Sequence, residues 1–130
     1  MEKQTDETVR TAALQQIRSK MIQKDYYLMH RRPLDAARKA AVVLEHFEWL
    51  VSCEKNGSIL ITGALFDRDG KQLDGLTVIR ANSWEEAEAI AATDPFVANG
   101  GVEFEIQRWR LGAGRITLSF DLSCQTAAIS

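Results

Sequence analysis

Cysteine is scarce in this chain. Cys53 and Cys124 are the two cysteines in 130 residues, too few for a disulfide scaffold and not spaced as a metal-ligand pair. Histidine also occurs twice, at His30 and His46, and with scattered carboxylates this makes no metal signature, so no metal is expected. Proline stands only at positions 33 and 95, and each marks a boundary: Pro33 interrupts a strand pattern and Asp94-Pro95 closes a helical one. Neither charge sign is in excess, with 16 Lys+Arg against 18 Asp+Glu and a net charge of -2. Without a concentrated basic surface, nucleic acid is not the expected partner. No run approaches the roughly 20 apolar residues of a membrane span. The opening residues MEKQTDETVR have no apolar h-region, so neither a secretory signal nor a membrane association is expected, and a cytoplasmic location is. Gly100-Gly101 precedes a strand pattern rather than a helix, so it is not a phosphate-cradling loop.

Hydrophobic residues make up 45% of the chain, enough for one domain with one core. Three segments follow: an N-terminal helical extension over 1–22, a folded domain over 23–111, and an additional strand and tail over 112–130. In the extension Val9, Ala13, Ile17 and Met21 form one thin apolar stripe, which predicts a helix needing support from the body or from a neighbouring subunit. Tyr26-Tyr27-Leu28-Met29-His30 predicts a strand. Ala36, Ala40, Val43, Phe47, Leu50 and Cys53 follow helical spacing for almost twenty residues, predicting one long helix that Asn56-Gly57 ends. Ser58-Ile59-Leu60-Ile61-Thr62 and Leu76-Thr77-Val78-Ile79 predict a hairpin around Asp67-Arg68-Asp69-Gly70, with Gly75 as a second break. Ser83-Trp84-Glu85-Glu86 is a capping box, opening a short helix whose stripe is Ala87, Ile90 and Ala91. Val102, Phe104 and Ile106 alternate with polar residues, and that alternation slips at Arg108-Trp109. Ile116, Leu118, Phe120 and Leu122 give one last strand, after which the tail from 123 has no pattern.

The order β-α-β-β-α-β, plus one strand, predicts an α+β fold: a ferredoxin-like split β-α-β antiparallel sheet with two helices on one face. The other face offers apolar residues from the strands around Ile59-Ile61 and Phe104-Ile106, and face-to-face dimerisation is the simplest way to cover them.

His46 stands three residues after Val43 and four before Leu50, beside the apolar stripe of its helix. Asp94 continues the stripe of Ala87 and Ile90 in the last turn, where the helix dipole disfavours a carboxylate. A carboxylate there needs a compensating partner. If the two helices lie side by side, His46 and Asp94 meet, and such a pair fixes one imidazole tautomer and favours proton abstraction. By spacing alone a lone histidine on a helix is more often structural, and Asp before Pro is also a plain stop signal. Trp49, Trp84 and Trp109 suit core or subunit contacts, and Cys53 a small buried hydrophobe.

The run from His46 through Asn56-Gly57, Gly63, Asp69-Gly70, Gly75, Ser83-x-x-Glu86-Ala87 and Asp94-Pro95-Phe96-Val97 to Gly100 resembles the YciI-like (YCII-related) family. The likeness spans about residues 26–109. It implies a dimeric α+β barrel, two ferredoxin-like halves joined through their sheets, and a His–Asp site carried onto His46 and Asp94. That wider group includes a dehydrochlorinase acting on hydroxylated aromatics. Such relatives often carry Arg three residues before the histidine, where this chain has Val43, and Gly-Pro where it has Gly63-Ala64. His30, Arg31 and Arg32 are the candidate substitutes for substrate binding.

The leading expectation is therefore a cofactor-free lyase, isomerase or dehydrochlorinase acting on a small anionic or aromatic molecule, assembled as a homodimer or higher homo-oligomer. The alternative is a non-catalytic ligand-binding or assembly module of the same fold. A cofactor-independent monooxygenase is a third reading.

Overall fold

The computed structural model describes residues 5–130; the first four residues of the 1–22 extension lie outside the described residues. The elements are α1 (Asp6–Arg18), β1 (Lys24–Pro33), α2 (Ala36–Ala40), α3 (Val43–Asn56), β2 (Ile59–Phe66), β3 (Gln72–Ile79), α4 (Trp84–Ala92), α5 (Pro95–Ala98), β4 (Val102–Leu111), β5 (Leu118–Asp121) and β6 (Thr126–Ile129). They fall into two compact units: Asp25–Arg110, and the terminal segments on either side of it.

In the larger unit the four strands form one sheet in the order β2-β3-β1-β4. β3 runs antiparallel to both β1 and β2. Ion pairs from Arg110 to Asp25 and from Arg32 to Glu105 run in opposite senses along β4 and β1, so that pair is antiparallel as well. This is a mixed α+β fold, and its strand order is consistent with ferredoxin-like topology.

Strand alternation sorts β1 into two faces. Tyr27, Met29 and Arg31 point one way, registered against Ile79, Thr77 and Gly75 of β3. On that face Tyr27, Met29, Ile79 and Ile106 join Ala87 and Ala91 of α4 in the core. Both alanines are fully buried; their small side chains at i and i+4 let α4 lie close against the sheet. The capping box opens α4 with the Glu86 amide donating to the Ser83 hydroxyl at 3.1 Å, while the Glu86 carboxylate reaches one residue further back than expected, to the amide of Asn82.

The long helix expected from Ala36 to Cys53 is two helices. α2 is fastened to the loop before β4: the amides of Leu34 and Asp35 donate to the carbonyl of Gly101, and the Asn99 side chain donates to the carbonyl of Arg38. The chain leaves the helical conformation at Val42 (φ −128°, ψ 28°), which caps α3 without a side-chain hydrogen bond. The expected apolar stripe is also rotated. In α3 His46 and Cys53 are buried, whereas Val43 and Phe47 are 41% and 58% exposed, because the latter two border an open cavity rather than the core.

Gly75 does not break the hairpin but lies inside β3, opposite Arg31. A Cβ there would stand 3.6 Å from the Arg31 guanidinium, an ordinary van der Waals contact. On the uncovered sheet face, the residues in question also change. Ile59 and Ile106 are buried, and a shallow apolar concavity of about 410 Å³ is formed instead around Leu28, Ile61, Leu65, Leu76, Val78 and Trp109.

In the terminal unit α1 is capped by Thr5, whose hydroxyl accepts from the amide of Thr8, and its stripe residues Val9 and Ile17 are exposed. The single strand expected at 116–122 is a hairpin: β5 pairs antiparallel with β6, from Leu118↔Ile129 to Asp121↔Thr126. The turn between them is closed by Gln125 donating to the carbonyl of Asp121 at 2.8 Å, with Gln125 at φ 55°. That conformation is normally announced by Gly or Asn, which is why the tail carries no readable turn.

Candidate active site

Asp94 is not in the last turn of α4. That helix ends at Ala92, and Asp94 is the N-cap of α5, its Oδ1 accepting from the amide of Phe96 at 3.0 Å. The location expected to be unfavourable is therefore favourable: the carboxylate faces free amides at a helical N-terminus, and Pro95, which has no N–H to leave unpaired, occupies the first helical position. Asp94 has no exposed surface. Two side chains complete its shell. His46 Nδ1 lies 2.6 Å from Oδ1, and Arg31 Nε donates to Oδ2 at 2.6 Å.

These three residues come from α3, the N-cap of α5 and β1. His46 points inward because it sits on the buried line of α3. Arg31 points inward because it shares the face of Tyr27 and Met29. The imidazole is held flat against the Phe96 ring, with centroids 3.7 Å apart and planes 8° from parallel. The Trp49 ring centre lies 6.1 Å from that of the imidazole; its indole N–H donates to the Thr93 hydroxyl at 2.9 Å, and the Arg31 guanidinium lies over its ring.

Burial alone pushes the Asp94 carboxyl up, but the hydrogen bonds from His46 and Arg31 and the charges behind them hold it below the ordinary aspartate value. An ionised Asp94 accepts a proton rather than giving one, so Nδ1 of His46 is the N–H donor. In the neutral ring the lone pair then belongs to Nε2, which has no hydrogen-bond partner among the described residues. Nearby, burial and the Asp94 charge push the Cys53 thiol up, so it stays a neutral thiol rather than a nucleophile.

His46, Arg31 and Phe96 line a cavity of about 390 Å³. Its apolar wall includes Val43, Phe47 and Leu50, and its polar lining includes Lys39, Thr62, Gln72 and Asp74. Of the residues considered for substrate binding, Arg31 borders this cavity. His30 is turned to the other face of β1 and pairs with Asp74 at 2.7 Å, and Arg32 pairs with Glu105 at 3.0 Å in the open. Lys39, Thr62 and the stacking ring of Phe96 belong to the site without having been singled out in the sequence. The inward turn of Arg31 was readable from its i, i+2 spacing to Met29. Among the described residues no three metal-ligating side chains converge, and no helix is long and apolar enough to cross a membrane. The site that results is an imidazole anchored through one nitrogen to a buried carboxylate, on a residue that lines a largely apolar cavity, an arrangement suited to moving a proton.

Known proteins resemble this chain to different degrees. One structural neighbour is the 5-chloro-2-hydroxyhydroquinone dehydrochlorinase (TftG) from Burkholderia phenoliruptrix AC1100, solved in complex with 2,5-dihydroxybenzoquinone. It matches at 18% identity and a TM-score of 0.48, over 64% of this chain and 92% of that one. In sequence the chain is 36% identical over 69 residues to the uncharacterized protein YjpA of Bacillus subtilis (strain 168), which is 53% of this chain and 76% of that protein. Residues 26–110 match the YCII-related domain, and the chain belongs to the YCII-related family.

Proposed function

We propose that this protein is a cofactor-free enzyme that abstracts a proton from a small molecule, with His46 as general base and Asp94 as the residue that orients it. The observation that carries this reading is the 2.6 Å bond from Nδ1 to a buried carboxylate, on a histidine that lines the cavity. Nε2 takes a proton from carbon next to a carbonyl, or from a phenolic hydroxyl. The electron pair moves onto the carbonyl oxygen in the first case and into the ring in the second. The imidazolium then returns the proton at another position, completing an isomerisation, or the intermediate expels a leaving group as an anion, completing an elimination. Asp94 stabilises the imidazolium while it lasts. Phe47, Phe96 and Leu50 suit an apolar or aromatic substrate body.

The test is a screen of carbonyl compounds and hydroxylated, halogenated aromatics in deuterated buffer, read by deuterium uptake and halide release. A compound turned over by the parent should be processed about 10²- to 10⁴-fold more slowly by His46→Ala and by Asp94→Asn. Variants as fast as the parent would remove the dyad from the chemistry.

The uncovered apolar concavity supports a second element of the reading: a homodimer joined through the sheets, giving a dimeric α+β barrel. Read without catalysis, the same face and cavity suit a ligand-binding or assembly module. That reading predicts ligand binding and assembly unchanged in both dyad variants, with no turnover by the parent.

A further inference from the structure

The protons of Arg31 are only partly used. Its Nε–H goes to Asp94, Nη1 lies on the Gly75 side, and Nη2 is buried with no hydrogen-bond partner among the described residues. Arg31 is 5% exposed, so this is a desolvated cationic donor with nothing to give to, a costly arrangement that a bound acceptor relieves. Gly75, opposite Arg31 in the register, sets no side chain against the guanidinium, and both residues line the cavity. Lys39 is a second cation on the same cavity, its Nζ 5.3 Å from the centre of the Phe96 ring. The acids there are already engaged: Asp94 by His46 and Arg31, and Asp74 by His30. Two cations thus border a mainly apolar cavity whose carboxylates are spoken for.

We propose that the ligand of this cavity is an aromatic anion, its carboxylate or phenolate oxygen accepting from the terminal edge of Arg31 and drawn by Lys39, its ring against Phe47 and Phe96. This rests on the preceding reading for the location of the site and adds the substrate class. A guanidinium is suited to it, since its planar fork matches a carboxylate and it stays charged when buried.

Benzoate and benzamide separate charge from shape, being nearly isosteric. Each is titrated into the full-length protein near neutral pH and low salt, following ring-proton shifts and the heat of binding. Benzoate should bind at least about tenfold more tightly than benzamide. In Arg31→Gln that advantage should vanish, and in Lys39→Met it should fall several-fold with benzamide unaffected. Because Arg31→Gln disturbs a buried pair and can fail to fold, the parent's benzoate-to-benzamide ratio and the Lys39→Met result decide the matter without it. Equal affinities, preference for benzamide, or no measurable benzoate binding would each overturn the proposal, as would a benzoate preference untouched in Lys39→Met for that residue's part. The dyad reading is judged separately: deuterium uptake lost in His46→Ala alongside equal benzoate and benzamide affinities would leave the base in place and discard the anion.

Discussion

Asp94 is wholly buried and still charged, because Phe96, His46 and Arg31 all donate to it. Removing it leaves Arg31 a buried cation without a counter-charge, so Asp94→Ala should cost about 3–5 kcal/mol of stability, measured by urea unfolding. Asp94→Asn keeps the shape but replaces one acceptor with a donor, and should be milder in stability while disabling the tautomer. The pH dependence follows from the direction of the shift. A carboxyl held below its ordinary value stabilises the fold fully above the unfolded value of about 3.9, and that contribution is lost as pH falls through the folded value. The stability gap between the parent and Asp94→Asn should therefore be flat above about pH 4 and close below it; a gap closing instead between pH 5 and 7 would contradict this assignment. At this scale the sequence marked His46 and Asp94 but misplaced the reason. Asp94 looked badly sited because a helix was read through Thr93, and only the break at Thr93 reveals the N-cap. Arg31 stood in a run of three basic residues, and strand alternation is what separates the inward one from the two that pair elsewhere.

The loop carrying Gly100 and Gly101 does mechanical work at the level of elements. A Cβ on Gly101 would stand 2.6 Å from the Cα of Lys39, closer than such atoms come, and that contact is with backbone rather than a flexible side chain. Gly101→Ala should push α2 away from the loop, lower stability by about 1–3 kcal/mol, and displace Lys39 from the cavity; a variant with unchanged unfolding midpoint and α2 amide shifts would show the contact to be slack. Ser83→Ala should cost about 1 kcal/mol through loss of the α4 cap. Elements with local signals were legible: the Ser83 cap, the Asn56-Gly57 stop where Gly57 takes φ 82°, the Asp67–Gly70 turn, and the alternation in β4. The split between α2 and α3 was not, since it follows from tethering to residues 99–101, sixty positions away. Gly75 misled for the same reason: its neighbour across the sheet is Arg31, a contact invisible along the chain.

Across the whole molecule, every residue of the principal core lies between positions 27 and 106. A fragment spanning 25–110 should therefore unfold cooperatively and keep the His46–Asp94 bond, seen by near-ultraviolet dichroism and the His46 ring shifts; a molten fragment would show that the terminal segments are part of the folding unit. The proposed dimer places the Leu28, Ile61 and Trp109 face between subunits, so Ile61→Glu should halve the mass measured by analytical ultracentrifugation. A parent that sediments as a monomer would end the sheet-to-sheet proposal. The strand order was legible from the β-α-β-β-α-β pattern because that connectivity admits few arrangements. The terminal hairpin was not, because its turn uses Gln125 where Gly or Asn would have signalled it.

In the proposed enzyme His46 offers a basic Nε2 while Asp94 holds Nδ1–H. Nitrogen-15 shifts of the His46 ring, correlated to its carbon-bound protons and followed from pH 5 to 9, test it without any knowledge of the substrate. The neutral ring should carry its proton on Nδ1, with Nε2 bare. An Nε2–H tautomer, or a ring doubly protonated throughout the range, would contradict it and leave the pair with a structural role.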